Sequence, residues 1–358
     1  MPKKEISIIY INQEIFNNFT LKSYLKAEVS KLGFRVELEL FKDSFNLDIL
    51  DKISSKYVII FAKPNDIALI SKILSTLLND NLTLRDNILT PSKIKEYKDG
   101  SYLIKLNSQK INVVSLDKEE KINILLKPQK VEKLLSFFED EASLQNFIEQ
   151  FHKNPSITYY FEYPNILKLE FDKNQLTIKK KIESLTPKII KRDSLIEALI
   201  EYLSANNKKI TFAESCTGGA LANRFISYSG ASNIIDGSFI TYSNDIKINW
   251  LGVKKETLEN FGAVSSECVE EMAKGARERL KANIAISVSG IAGPTGAVEG
   301  KPVGTVYVCV DLEGIQRVKR LNLKGDRVFI QSQSVNWAIF LLIESLGDNF
   351  FDFFSKNP

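Results

Sequence analysis

Residues 211–224 read T-F-A-E-S-C-T-G-G-A-L-A-N-R, and the second half of the chain is arranged around them. The run 209–212 has strand character and 220–226 has helix character, so Ser215 falls at a strand-to-helix turn. Nucleophiles and anion sites suit such turns, because the free N–H groups and positive dipole end of the helix face the same spot. Gly218 and Gly219 take side chains away where a ligand must approach the backbone, and Thr217 is placed to cap the helix. The plainer reading is a capped helix start with a tight glycine turn and no ligand.

Outward from this turn, strands and helices alternate. A helix at 195–203, capped by Asp193, precedes it; 237–243 reads as a strand, 265–281 as a long amphipathic helix and 284–288 as a buried strand. Residues 302–311 and 316–323 are an expected hairpin about Glu313 and Gly314. The closing helix, 326–346, should lay Val328, Phe329, Val335, Ala338, Ile339 and Leu342 on the sheet.

The first half alternates too. Strands at 6–11, 34–41 and 57–61 are interleaved with helices at 21–32, 45–53 and 67–78, which argues a parallel sheet with crossover helices. Further strands are read at 103–106, 111–116 and 122–126, and a helix begins at 131–138. From about Ala142 a helix and two strands, 158–162 and 167–171 with an extension over 175–182, make a small unit that holds the only histidine, His152. The stretch from Thr186 through Pro187 and Lys188 to Arg192 is the best boundary. The expected class is α/β: a parallel-sheet domain over 1–138, a small α+β middle unit and linker over 139–190, and a three-layer α/β domain over 191–358.

With 358 residues, 44% hydrophobic and 26% charged, the chain can bury two or three ordinary cores. No run approaches the roughly 18 apolar residues of a membrane helix and the start has no signal-peptide core, so a cytoplasmic protein without a membrane partner is expected. Cys216, Cys268 and Cys309 are too few and too scattered for a disulfide framework or a zinc site. The net charge of +4 lies in short basic clusters, Lys179 to Lys181 and then Lys188, Lys191 and Arg192, without interleaved aromatics, so they read as a solvated face and not as a nucleic-acid surface. Of 17 glycines only Gly33 and Gly100 precede residue 200, which argues against a phosphate-cradling loop in the first half.

If Ser215 attacks, a base must take its proton, and the usual histidine is missing from this domain. Lysine and tyrosine remain, since a desolvated lysine can lose its proton readily. Tyr242 and Lys247, in T-Y-S-N-D-I-K, sit where one strand ends and a helix begins, and could project to the same mouth of the sheet as Ser215; the plainer reading is a half-buried tyrosine and a surface lysine. S-G-I-A-G-P-T-G, residues 289–296, follows another strand in the position of a ligand loop. It is not a Walker loop, because the spacing from Gly296 to Gly300 is one residue short and Pro302 stands where Ser or Thr must hold magnesium. Lys301 and Arg327 are the phosphate-directed cations, and no cluster has metal-ligand spacing, so neither a metal nor another cofactor is expected.

Five segments, A-E-S-C-T-G-G (213–219), T-Y-S-N (241–244), G-A-V-S (262–265), S-G-I-A-G-P (289–294) and K-P-V-G-T-V (301–306), resemble in order and spacing the C-terminal domain of the CinA family, the nicotinamide-nucleotide amidases. The resemblance covers about residues 193–350 and implies a CinA-type amidase domain that hydrolyses the carboxamide of nicotinamide mononucleotide to the acid and ammonia, recycling pyridine nucleotide for NAD synthesis. The family's nucleophile falls on Ser215, its tyrosine on Tyr242, its lysine on Lys247 and its substrate-binding arginine on Arg327. Thr217, Gly218, Gly219, Gly290, Ala292, Gly293, Lys301 and Thr305 are the further expected substrate contacts, with Tyr242 relaying or orienting the proton and the amides of the 216–219 turn holding the oxyanion.

The front half resembles the family's molybdopterin-binding and nucleotide-pyrophosphatase-like domain only in outline. I-N-Q-E (11–14), F-A-K-P-N-D (61–66) and K-P-Q (127–129) replace that domain's glycine loops and carboxylates, so it reads as a degenerate domain with a structural or dimerising role. The expected partners are thus the small-molecule substrate and a second copy of the chain in a homodimer. Two alternatives stay open: a pocket that binds nucleotide without turnover in a competence or DNA-damage setting, and a pyrophosphatase in the N-terminal half.

Overall fold

The computed structural model describes residues 4–46, 48–116, 122–127, 131–151, 154, 157–172, 174–186 and 188–357. Two compact units divide the chain: Met1–Glu132 with Asn154–Thr158 and Phe171–Leu176, and Lys133–Lys153 with Tyr159–Glu170 and Thr177–Pro358.

In the first unit, β1 (Glu5–Ile11) leads through α1 (Gln13–Asn17) and α2 (Phe19–Lys31) to β2 (Arg35–Lys42), then α3 (Asp48–Asp51), β3 (Tyr57–Ala62) and α4 (Pro64–Leu77). Strands β1 and β3 are near-continuous apolar runs buried on both faces, as central parallel strands must be. A hairpin of β4 (Leu82–Arg85) and β5 (Ile88–Pro91) follows, turning at Asp86 and Asn87, both with positive φ. Then come β6 (Glu96–Lys98), β7 (Ser101–Leu106) and β8 (Gln109–Ser115). The sheet order is β2-β1-β3-β8-β7-β6, parallel from β2 to β8 and antiparallel at β7 and β6. Ile8, Tyr10, Ile59 and Phe61 pack with Leu25 and Val29 of α2, while Ile9, Val58 and Ile60 pack with Ile67, Ile70 and Leu74 of α4. The expected strand at 122–126 does not form: the buried Asn112 side chain takes the Leu125 amide at 2.7 Å in place of a ladder partner.

The second unit begins with a correction. Residues 131–138, expected to start a helix, are β9 (Val131–Phe137), followed by α5 (Glu141–Phe151), β10 (Ile157–Tyr163), β11 (Ile166–Asp172), α6 (Leu176–Leu185) and β12 (Lys188–Ile190). The segment expected to extend a strand, 175–182, is thus helical, and the expected linker supplies the strand β12, which pairs antiparallel with β9. The order β10-β11-β9-β12 is that of a βαββαβ split sheet. His152 and Pro187 lie outside the described residues.

Next come α7 (Leu195–Ala205), β13 (Ile210–Glu214), α8 (Ala220–Ile226), β14 (Phe239–Ile240), α9 (Asn244–Leu251), α10 (Lys255–Asn260), α11 (Ser266–Leu280), β15 (Ile284–Gly290), β16 (Thr305–Leu312), β17 (Ile315–Asn322), α12 (Arg327–Leu346) and α13 (Asp348–Lys356). Ser194, not Asp193, caps α7; Asp193 pairs instead with Lys133 and Lys168. The sheet order is β14-β13-β15-β16-β17, with β13 parallel to both neighbours and the hairpin antiparallel. On one face Ile210, Phe212, Ile286 and Val308 pack with α7, α8 and α12; on the other, Ala213, Ala285 and Cys309 pack with Val269, Met272 and Ala276 of α11. Three layers result, and the parallel strands β13, β14 and β15 all end at one edge. The closing helix buries Val335, Ala338, Ile339 and Leu342, but Val328 and Phe329, in its first turn, are exposed and do not lie on the sheet as expected. Among the described residues no helix is long and apolar enough to cross a membrane.

Candidate active site

Ser215 is the first residue after β13, and its amide bonds the Val288 carbonyl of β15 at 3.0 Å, so the turn is pinned to the sheet edge. Gly219 is the residue before α8 and sits at φ 97, a left-handed conformation that glycine alone adopts without strain. Thr217 does not cap the helix: its hydroxyl is buried without a partner among the described residues. The cap is Glu214, whose fully buried carboxylate accepts from the amides of Gly219 (3.0 Å), Leu221 (3.0 Å) and Ala222 (2.8 Å). An anion at this helix end is favoured by the dipole, and here the chain supplies its own.

Lys247 lies in the first turn of α9, whose start is fixed by Ser243 Oγ accepting from the Ile246 amide. That turn aims the side chain inward, where it is 1% exposed. Its Nζ lies 2.7 Å from the Thr241 carbonyl, 3.3 Å from the Tyr242 carbonyl and 3.2 Å from Ser215 Oγ. Burial holds its pKa below the ordinary lysine value, towards the neutral amine. A neutral amine has two N–H bonds and one lone pair; with both carbonyls accepting, the lone pair faces the serine hydroxyl. The neighbouring Cys216 thiol is pushed the other way, up to about 12 by burial, and stays protonated.

Tyr242 takes a different place from the one expected. Its ring is 65% exposed and its hydroxyl accepts from Arg327 Nη2 at 3.2 Å, so the phenol is bonded to neither Ser215 nor Lys247; its backbone carbonyl orients the lysine instead. Arg327 opens α12 and also donates to the Gly293 carbonyl at 2.7 Å. Gly290 ends β15 so close to β16 that a Cβ would lie 2.9 Å from the Val306 Cα, so no larger residue fits there without moving the strand.

These groups line a pocket of about 290 Å³, near the lower end of small-ligand sites. Ser215, Tyr242, Lys247, Gly290, Ala292, Gly293 and Arg327 are in its wall; Thr217, Gly218, Gly219, Lys301 and Thr305 are not. Lys301 turns away to donate to the Phe261 carbonyl at 2.7 Å, and buried Thr305 holds the loop by accepting the Ile291 amide at 2.9 Å. Cys216 of the oxyanion turn, Ser289, Ile291, Thr295 and Gly296 of the expected ligand loop, and Asn244, Ala263 and Val264 complete the wall; the last three lie within the segments singled out in the sequence but carry no individual expectation there. No Asp or Glu is in the wall, and Arg327 supplies a cation there, so the pocket suits a ligand with an anionic group. Among the described residues no set of His, Cys, Asp and Glu is grouped to hold a metal.

Residues 192–346 match the sequence model of the CinA C-terminal domain. A CinA-like protein of Pseudothermotoga lettingae is 41% identical over 155 residues, 43% of this chain and 38% of that protein. A putative competence-damage inducible protein of Caldicellulosiruptor saccharolyticus is 45% identical over 157 residues, 44% of this chain and 38% of that one. The chain thus spans under two fifths of the length of these curated relatives. The crystal structure of competence damage-inducible protein A from Klebsiella pneumoniae is 38% identical, covering 42% of this chain and 94% of that chain with a TM-score of 0.42.

Proposed function

With residues 192–346 forming a CinA C-terminal domain, we propose that this chain is an amidohydrolase that converts nicotinamide mononucleotide to nicotinate mononucleotide and ammonia. The observation that carries the reading is the buried Lys247 Nζ, 3.2 Å from Ser215 Oγ with two carbonyls on its other side. Lys247 takes the Ser215 proton as Oγ bonds to the carboxamide carbon. The Gly218 amide is spent on the Ser215 carbonyl and the Gly219 amide on Glu214, and Thr217 lies outside the wall, so the Cys216 amide is the turn's donor for the oxyanion, worth about 3 kcal/mol. As the tetrahedral intermediate collapses the C–N bond breaks, and the proton held by Lys247 passes to the leaving ammonia. Water, deprotonated by the same amine, then attacks the acyl-serine ester and returns Ser215.

The pyridinium ring already withdraws electrons from the amide, so the attack needs no catalytic metal. Arg327 takes the substrate phosphate, exchanging its bonds to Tyr242 and Gly293 for charge-assisted ones. Residues 1–138 serve a structural or dimerising role: where β1 and β3 end, Asn12 bonds Asp66 at 3.1 Å and Lys63 pairs with Glu14 at 3.6 Å, engaging one another. Ammonia release from nicotinamide mononucleotide tests the amidase reading. The wild-type chain should turn over and Ser215→Ala should fall to background with its fold intact. Binding without ammonia release would leave a nucleotide-binding module instead.

A further inference from the structure

We propose that Glu214, which takes no part in the pocket wall, is a positioning residue that aligns the nucleophile with its base. The inference rests on the amidase reading and deepens it. The carboxylate is 0% exposed, and among the described residues no cation pairs with it. A buried, unpaired charge is costly, and a neutral Ser or Asn beside the helix would satisfy its first amides more cheaply. Gly219 stands there instead, and the cap comes from the residue before the nucleophile.

The consequence is a closed clamp. Glu214 precedes Ser215 and its side chain grips Gly219, Leu221 and Ala222 beyond it, so the turn is held at both ends. The same residue reaches the base through its backbone: the Glu214 carbonyl accepts from the Thr241 amide at 2.8 Å, and the Thr241 carbonyl accepts from Lys247 Nζ at 2.7 Å. One residue therefore sets the position of the attacking oxygen and of the nitrogen that deprotonates it. Because its carboxylate fills the N-terminus of α8, that helix end is closed to a substrate anion, and loss of Glu214 should act on the chemical step and not on binding.

The test uses the full chain as wild type, Glu214→Gln and Glu214→Asp, with phenylmethylsulfonyl fluoride as a probe of Ser215. In that reaction the serine oxygen displaces fluoride from sulfur and the proton goes to Lys247. Labelling rate per folded molecule is read by intact mass, beside kcat and KM for nicotinamide mononucleotide. Gln keeps the shape but can no longer accept at both atoms; labelling and kcat should fall together on the order of a hundredfold, as for a misplaced reacting group, with KM within about threefold. Asp keeps the charge on a shorter stem and should fall between, and it decides the matter if the Gln variant does not fold. A folded variant that labels at the wild-type rate overturns the proposal, since Glu214 would then only stabilise the helix. A wild type that labels but releases no ammonia sinks the amidase reading while the labelling ratio still decides this one. A wild type that does not label defeats the proposal as well.

Discussion

Lys247 draws its role from three neighbours acting on one nitrogen. Burial disfavours its charge, the Thr241 and Tyr242 carbonyls occupy two of its bonding directions, and Ser215 Oγ takes the third. With the folded pKa lowered, the neutral fraction and hence the rate should rise with pH through that group, below the ordinary lysine range. The stability consequence has the same sign. Between the lowered and the ordinary pKa the unfolded chain binds more protons, so stability rises with pH across that window, and below it the cost of the buried cation is complete. Lys247→Met should therefore lower turnover a hundredfold or more, yet raise the neutral-pH urea midpoint or leave it unchanged, the two proteins converging at high pH. Lys247→Arg keeps the cation with a pKa beyond use and should not restore the rate. A Lys247→Met protein that is both inactive and less stable at neutral pH would contradict this electrostatic picture. The sequence allowed Ser215 and Lys247 to meet because each sits at a strand-to-helix junction, where parallel strands bring side chains together, but pattern alone reads Lys247 equally as a surface lysine, and the family resemblance singled it out. Glu214 is not singled out by the sequence, because a glutamate ending a strand is ordinary and Thr217 has the residue type and place of a cap.

At the scale of elements, Lys247 is only as well placed as α9, and α9 rests against α11. Gly275 in α11 meets the Leu251 carbonyl at the end of α9; a Cβ there would lie 1.9 Å from that oxygen. In an exposed helix Gly→Ala stabilises by about 1 kcal/mol. Here the backbone of α9 must move, so Gly275→Ala should destabilise by about 1–3 kcal/mol and slow ammonia release as Lys247 withdraws from Ser215. Urea unfolding alongside turnover checks both; a stabilised, fully active variant would show that the two helices slide freely. The alternating elements around β13 and β15 were readable because buried parallel strands and amphipathic helices have different periods. β9 was not: Val131, Leu134, Leu135 and, just past its end, Phe138 repeat at helical spacing, and it is pairing with β11 and β12 on either side that makes the segment a strand.

For the molecule, the split sheet and the three-layer domain that follows it share one core: Leu135, Phe137, Tyr163, Ile166 and Ile190 are buried with Leu199, Ile343 and Phe350. Phe137 meets Phe351 edge-on at 4.9 Å, and Lys188 pairs with Asp348 at 3.0 Å. A fragment 190–358 holds every pocket residue and should release ammonia, but with this apolar face uncovered its melting temperature should lie several degrees below that of 131–358, since each uncovered aromatic forfeits about 1.5–3 kcal/mol. Equal melting temperatures would mean that the shared core contributes little. The stretch 186–192 reads as a boundary because Pro187, Lys191 and Arg192 give it the composition of a linker and the strand within it is only three residues long. The covalent step itself is tested most directly by hydroxylamine, which intercepts an acyl-serine that water would otherwise resolve. During turnover of nicotinamide mononucleotide by the full chain, hydroxylamine should divert product to the hydroxamate of nicotinate mononucleotide, and Ser215→Ala should form none. Undiminished turnover to the acid alone, with no hydroxamate at any hydroxylamine concentration, would mean that water attacks the amide directly and that Ser215 is not the nucleophile.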